Sequence, residues 1–201
     1  MVWLPRPKGP RLASDAFPLS LLMKGLLAIV ATESLAPLLL VRLPLSGIAA
    51  LGVVRLVQTA ALLTLVHLSG EAGGWRAIGL GHGSRVDGWR WGLMGAAGFA
   101  LAALVGGAAL YLSGINPLRL INTPLPAPTT QKILFFIVGG CLAPAAEEVF
   151  FRGYLYTYCR RWGVLTALAL STAVFVALHL PSGLPLTQIV GGIVFALVYE
   201  Y

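Results

Sequence analysis

Two adjacent carboxylates, Glu147 and Glu148, interrupt a strongly apolar run and are followed by Arg152 and Gly153. In a helix, Glu148 and Arg152 stand at i and i+4 and pair along one face. Glu147 then points about 100° away and needs a partner from another element. Neighbouring, partly desolvated carboxylates separate their titrations, an arrangement suited to general-base chemistry at neutral pH. The structural alternative is a charge cluster near a membrane interface, held by Arg152, Arg160 and Arg161. His179 lies one turn after Phe175 in a second apolar run. A lone buried histidine is more often a hydrogen-bonded structural residue. Beside two glutamates it becomes a candidate for water activation or metal binding. No serine or cysteine sits in a nucleophile-elbow or histidine-paired setting, and no H-E-x-x-H stretch occurs.

The elements that must position these residues are membrane helices. Of 201 residues, 58% are apolar, 24 more are glycine, and only 10% are charged. Apolar residues and glycine together make about 70%, against roughly 45–50% in soluble globular proteins. The mean hydropathy is +0.86. So little charge cannot cover so much apolar surface in water, which excludes the soluble classes. The expected fold is all-α, a polytopic transmembrane helix bundle of about six spans. These fall at about 19–41, 46–69, 91–113, 131–159, 163–180 and 186–201, the last two being shortest. A polar stretch at 70–90 carries Glu71, Arg76, His82, Arg85, Asp87 and Arg90. The segment 114–130 holds Pro117, Pro124, Pro126 and Pro128 and cannot be one continuous helix.

Residues 1–18 form a basic segment punctuated by Pro5, Pro7, Pro10 and Pro18, with Arg6, Lys8 and Arg11. The apolar run after it is too long for a signal peptide and lacks a small-residue cleavage site, so it reads as a retained span. The net charge of +7 reflects Lys and Arg flanking the spans, and no basic stripe with interleaved aromatics points to nucleic acid. With the N-terminus inside, inner segments hold Arg6, Lys8, Arg11, Arg76, Arg85, Arg90, Arg160 and Arg161, against Arg42, Arg119 and Lys132 outside. Eight against three places the N-terminus in the cytoplasm. Within the spans, Lys24 lies near a helix end and can snorkel, while Glu33 and Arg55 are expected to pair across the first two helices. Gly98, Ala102 and Gly106 recur every four residues and are expected to let a neighbouring helix approach closely. Cys141 and Cys159 lie ~27 Å apart along one helix, cannot pair with each other, and read as packing residues.

The Glu147-Glu148…Arg152-Gly153 stretch, followed about thirty residues later by Phe175…His179, is similar to the CAAX-protease and bacteriocin-processing (Abi-type) intramembrane proteases. Ile189, Gly192, Ala196 and Tyr199 resemble the family's next, small-residue helix, with alanine where a second glycine is usual. The resemblance covers residues 131–201 and leaves 19–130 as variable helices and loops. It implies peptide-bond hydrolysis in or at the edge of a bacterial inner membrane, on a prenylated, leader or other membrane-associated peptide. Glu147 and His179 would activate water, Glu148 and Arg152 would support them, and Phe175 and Gly192 would support substrate or packing. Two carboxylates and one histidine (Glu147, Glu148, His179) could hold zinc, or glutamate and histidine could act without metal.

The family's further histidine motif, H-x-x-x-N or H-x-x-x-D on a later helix, has no counterpart here, since the histidines are His67, His82 and His179. The expectation is therefore a C-terminally incomplete protease core. The alternative is a catalytically incomplete relative serving as a membrane immunity or scaffold protein, with a small transporter or channel as the third reading. His67 is a poor substitute for the missing group. With spans drawn as above, Glu148 falls inward of the bilayer centre and His179 near the outer end, ~15 Å apart in depth. A shared site requires those boundaries to move or Pro144 to kink its helix.

Overall fold

The computed structural model describes residues 17–70, 74–80, 85–117, 125–179 and 186–200. The basic stretch through residue 16, Glu71, His82, Arg119, Pro124 and Tyr201 lie outside the described residues, as do the side chains of Arg85 and Asp87. Six main helices make up the described structure, with no strand: α1 Leu19–Leu40, α2 Gly47–Ser69, α3 Arg85–Leu112, α4 Thr129–Trp162, α5 Val164–His179 and α6 Leu186–Glu200. A short 3-10 turn, Gly74–Ile78, follows α2. The first four are long and apolar enough to cross a membrane. At about 1.5 Å per residue, α5 rises about 24 Å and α4 about 51 Å, against a hydrocarbon core of about 30 Å. The chain is an all-α, polytopic integral membrane protein, and among its described residues four helices have the length and composition of full spans while two shorter ones pack among them.

Local chemistry sets the ends that matter. Ser46 caps α2, its side chain accepting from the Ala49 amide at 3.2 Å. The turn between α4 and α5 is made by Gly163 at φ +102°, backbone that a side chain would strain. Helix α4 is not regular: π turns occupy Val138–Leu142 and Val149–Tyr156, leaving Glu147 and Glu148 on the α-helical segment between them. Pro144, whose missing amide would break an ordinary ladder, sits just after the first π turn, and the helix continues through it.

α4 is the hub. Tyr154, fully buried, packs edge-on against Phe17 and donates its hydroxyl to the Leu62 carbonyl of α2. A Cβ on Gly25 of α1 would lie 2.6 Å from the Tyr154 ring, so only glycine lets α1 approach there. On the other side Arg160 forms a two-point pair with Glu200 of α6, at 2.9 and 2.7 Å, and Tyr156 donates to the same carboxylate. Arg161 donates to the Phe17 and Tyr158 carbonyls. These interactions differ from the structural alternative in which Arg160 and Arg161 hold the Glu147–Glu148 cluster: they tie the start of α1 and the end of α6 to the last turns of α4.

Other expectations also change. α3 starts earlier than its span, at Arg85, while its apolar, membrane-length part, Gly92–Leu112, falls where the span at 91–113 was expected. Gly98 and Gly106 meet nothing within 4 Å, so their stripe is not the close approach; α3 instead meets α6 at Gly95, where a Cβ would lie 2.6 Å from Val198. Cys159 is buried as expected, but Cys141 is exposed and packs no core. His67 is exposed at the end of α2, its ring tilted against that of Trp75.

Candidate active site

The depth conflict disappears because α4 and α5 form an antiparallel hairpin. Glu147 and His179 each lie sixteen residues from Gly163, so they return to the same level. The misreading came from letting every helix cross the whole bilayer; α5 is too short to do so.

His179 Nε2 stands 3.9 Å from Glu147 Oε1, beyond direct hydrogen-bond range and close enough for one water to reach both. Both side chains are about one-quarter exposed, 29% and 27%. His179 Nδ1 lies 2.7 Å from the Phe175 carbonyl, which can only accept. Nδ1 therefore carries a proton and donates it, and Nε2 is the ring nitrogen turned towards Glu147. Phe175 holds the ring in place. Its centroid is 4.4 Å from that of His179, and it also meets Phe151 edge-on at 5.0 Å.

Glu148 takes the second direction anticipated from the spacing, with Oε2 3.3 Å from Arg152 Nε. Arg152 is 1% exposed, a cation buried between the rings of Phe175 and Phe195 at 5.5 and 5.7 Å. Its Nη2 donates to the Gly192 carbonyl of α6 at 3.2 Å. Arg152 thus joins α4, α5 and α6 behind Glu148.

Gly192 is required by contact as well as by its carbonyl. A Cβ there would sit 2.7 Å from Thr172 Cγ2, and a β-branched side chain has little rotamer freedom to yield. Gly192→Ala is expected to cost about 1–3 kcal/mol in thermal unfolding. Adding Thr172→Ala should recover most of it, because the buried Thr172 Oγ1 has no hydrogen-bond partner to lose. Failure of that rescue would place the strain elsewhere.

A metal fits this constellation poorly. Among the described residues no three of His, Cys, Asp and Glu are grouped to hold an ion, and Glu148 is turned onto Arg152. Glu147 and His179 supply two donors where catalytic zinc uses three.

Residues 129–201 match the family model described as Type II CAAX prenyl endopeptidase Rce1-like. The Rce1-like segment covers α4, α5 and α6, and so includes Glu147, Glu148, Arg152, Phe175, His179 and Gly192. It agrees with the family that the two motifs resemble. No curated protein and no solved structure matches the chain.

The geometry also gathers residues outside the Rce1-like segment. Glu33 of α1 accepts from Arg55 of α2 at 2.7 Å, the pairing expected from sequence. Gln58 and Thr32 join them, Gln58 Nε2 donating to Thr32 Oγ1 at 3.1 Å and to Glu33 at 3.0 Å. Sequence reasoning passes over Gln58 and Thr32. The available signal was an amide one turn after Arg55 in an otherwise apolar helix.

Proposed function

We propose that the protein is an intramembrane endopeptidase in which Glu147 and His179 hold and activate the hydrolytic water. The observation that carries this is the 3.9 Å separation of Glu147 Oε1 and His179 Nε2, with the ring fixed through Nδ1. Water between them gives one hydrogen to the carboxylate and the other to the imidazole. As its oxygen bonds to the scissile carbonyl carbon, Glu147 takes a proton and passes it to the departing amine nitrogen as the C–N bond breaks. Glu148 and Arg152 hold the helix and charge around this pair.

The substrate proposed is a membrane-associated peptide, prenylated or a leader sequence. The distribution of Lys and Arg supports a cytoplasmic N-terminus in a bacterial inner membrane, with Gly163 on the inner side. The test uses the full chain in proteoliposomes, given a farnesylated peptide ending in Cys and three further residues, its unprenylated form, and a leader peptide. Products are read by mass spectrometry. His179→Ala should slow cleavage at least about 100-fold. Cleavage at the unaltered rate in that variant would sink the Glu/His reading.

A further inference from the structure

We propose that Arg55, clamped by Glu33 and Gln58, is a positioning residue for Glu147, which makes the α1–α2 hairpin a working part of the site. This rests on the endopeptidase reading for its catalytic consequence, though not for the charge coupling it asserts.

The register of the helices supplies the geometry. α2 and α4 run parallel. A Cβ on Gly52 would lie 2.9 Å from Val138 and 3.8 Å from Leu142, and further along Leu62 accepts from Tyr154. Arg55 lies three residues after Gly52 and seven before Leu62; Glu147 lies five after Leu142 and seven before Tyr154. The two therefore lie within about one helical turn of each other in depth. α1 runs antiparallel to α4 with Gly25 against Tyr154, so Glu33, eight residues on, comes to the same level. Three helices thus bring Thr32, Glu33, Arg55, Gln58 and Glu147 to one depth, and α5 adds His179.

Charge and hydrogen bonding favour a directed role. The basic side chains around Glu147 are His179 from α5, Arg55 from α2 and Arg152 from α4 itself. Gln58 is 3% exposed and accepts from Arg55 Nη1 at 2.7 Å, the same nitrogen that binds Glu33. That double hold fixes the guanidinium, while its buried Nε has no hydrogen-bond partner. An ion pair between apolar spans is a poor device for stability alone, since apolar side chains of like volume serve as well or better. A fixed cation near the depth of the water-activating carboxylate has a different use: it aims Glu147.

The test has two independent arms on the full chain. In the first, a double-mutant cycle of Arg55→Gln and Glu147→Gln is read by thermal unfolding in the Glu33→Gln background, which removes the direct ion pair of Arg55. Coupling predicts that Arg55→Gln lowers Tm by a few degrees with Glu147 present and by clearly less once it is Gln. Equal shifts overturn the proposal. In the second, Arg55→Gln should reduce kcat about tenfold or more with KM within about twofold, and Arg55→Lys should restore much of the loss. Unchanged kcat in Arg55→Gln, or a loss confined to KM, also overturns it. If the wild-type chain cleaves none of the peptides, the endopeptidase reading fails while the thermal cycle still decides whether Arg55 acts on Glu147.

Discussion

Glu147→Gln is expected to remove peptide cleavage, lowering kcat by about 10³-fold, while the bundle stays folded. Glutamine keeps the shape of the side chain and its hydrogen bonding but cannot take a proton from water at neutral pH. His179 keeps its bond to Phe175 and its stacking, so the ring remains in place without its partner. The fold should tolerate the change because Glu147 is 27% exposed and its contact with His179 is long, not a buried pair that would be left broken. Glu148→Gln is the informative contrast. Glu148 faces Arg152, not His179, so its loss should act through the packing of α4 on α6 and cost activity less than Glu147→Gln. Initial rates in proteoliposomes, with circular dichroism and thermal unfolding as controls, separate the two. Cleavage undiminished in Glu147→Gln would take this carboxylate out of the chemistry.

How much of this was legible beforehand follows from what each inference needed. The membrane bundle needed only composition, and the Glu148–Arg152 pair needed only helical spacing. That Glu147 must look to another helix also followed from the spacing; that the partner is His179 required the hairpin at Gly163. The spans themselves were placed to within a few residues. Depth was misjudged because helix length was equated with bilayer thickness, whereas α4 overruns the hydrocarbon and α5 falls short of it.

Helix faces were the least legible. In water, an apolar stripe marks the buried side of a helix; in lipid both environments are apolar, and the stripe carries no such information. Gly98, Ala102 and Gly106 form a regular row, yet the structure brings α6 against Gly95, off that row. Cys141 was assigned to packing for the same reason and is exposed. Polar residues are the exception, since hydrocarbon forces them to find partners. Glu33 and Arg55 could therefore be paired from sequence, while Gln58 and Thr32 needed the interhelical register to join them.

Arg152→Ala is expected to be the most destabilising single change at the site, by about 3 kcal/mol, at the lower end of the range for breaking a buried ion pair. The lower end applies because Glu148 is 38% exposed and water screens part of what it loses. Three losses combine: the charge partner of Glu148, the hydrogen bond to Gly192 that ties α4 to α6, and the volume between Phe175 and Phe195. Variants can separate them. Arg152→Met refills much of the volume without the charge, so it should recover part of the stability but leave Glu148 unpaired. Adding Glu148→Gln to Arg152→Met should then raise the unfolding midpoint further, although Glu148→Gln lowers it in the wild-type chain. Such a change of sign is the mark of a charge interaction. If Glu148→Gln instead lowers stability equally in both backgrounds, Arg152 holds the site through its packing between two aromatic rings and its bond to α6. Its pairing with Glu148 would then be incidental to the fold.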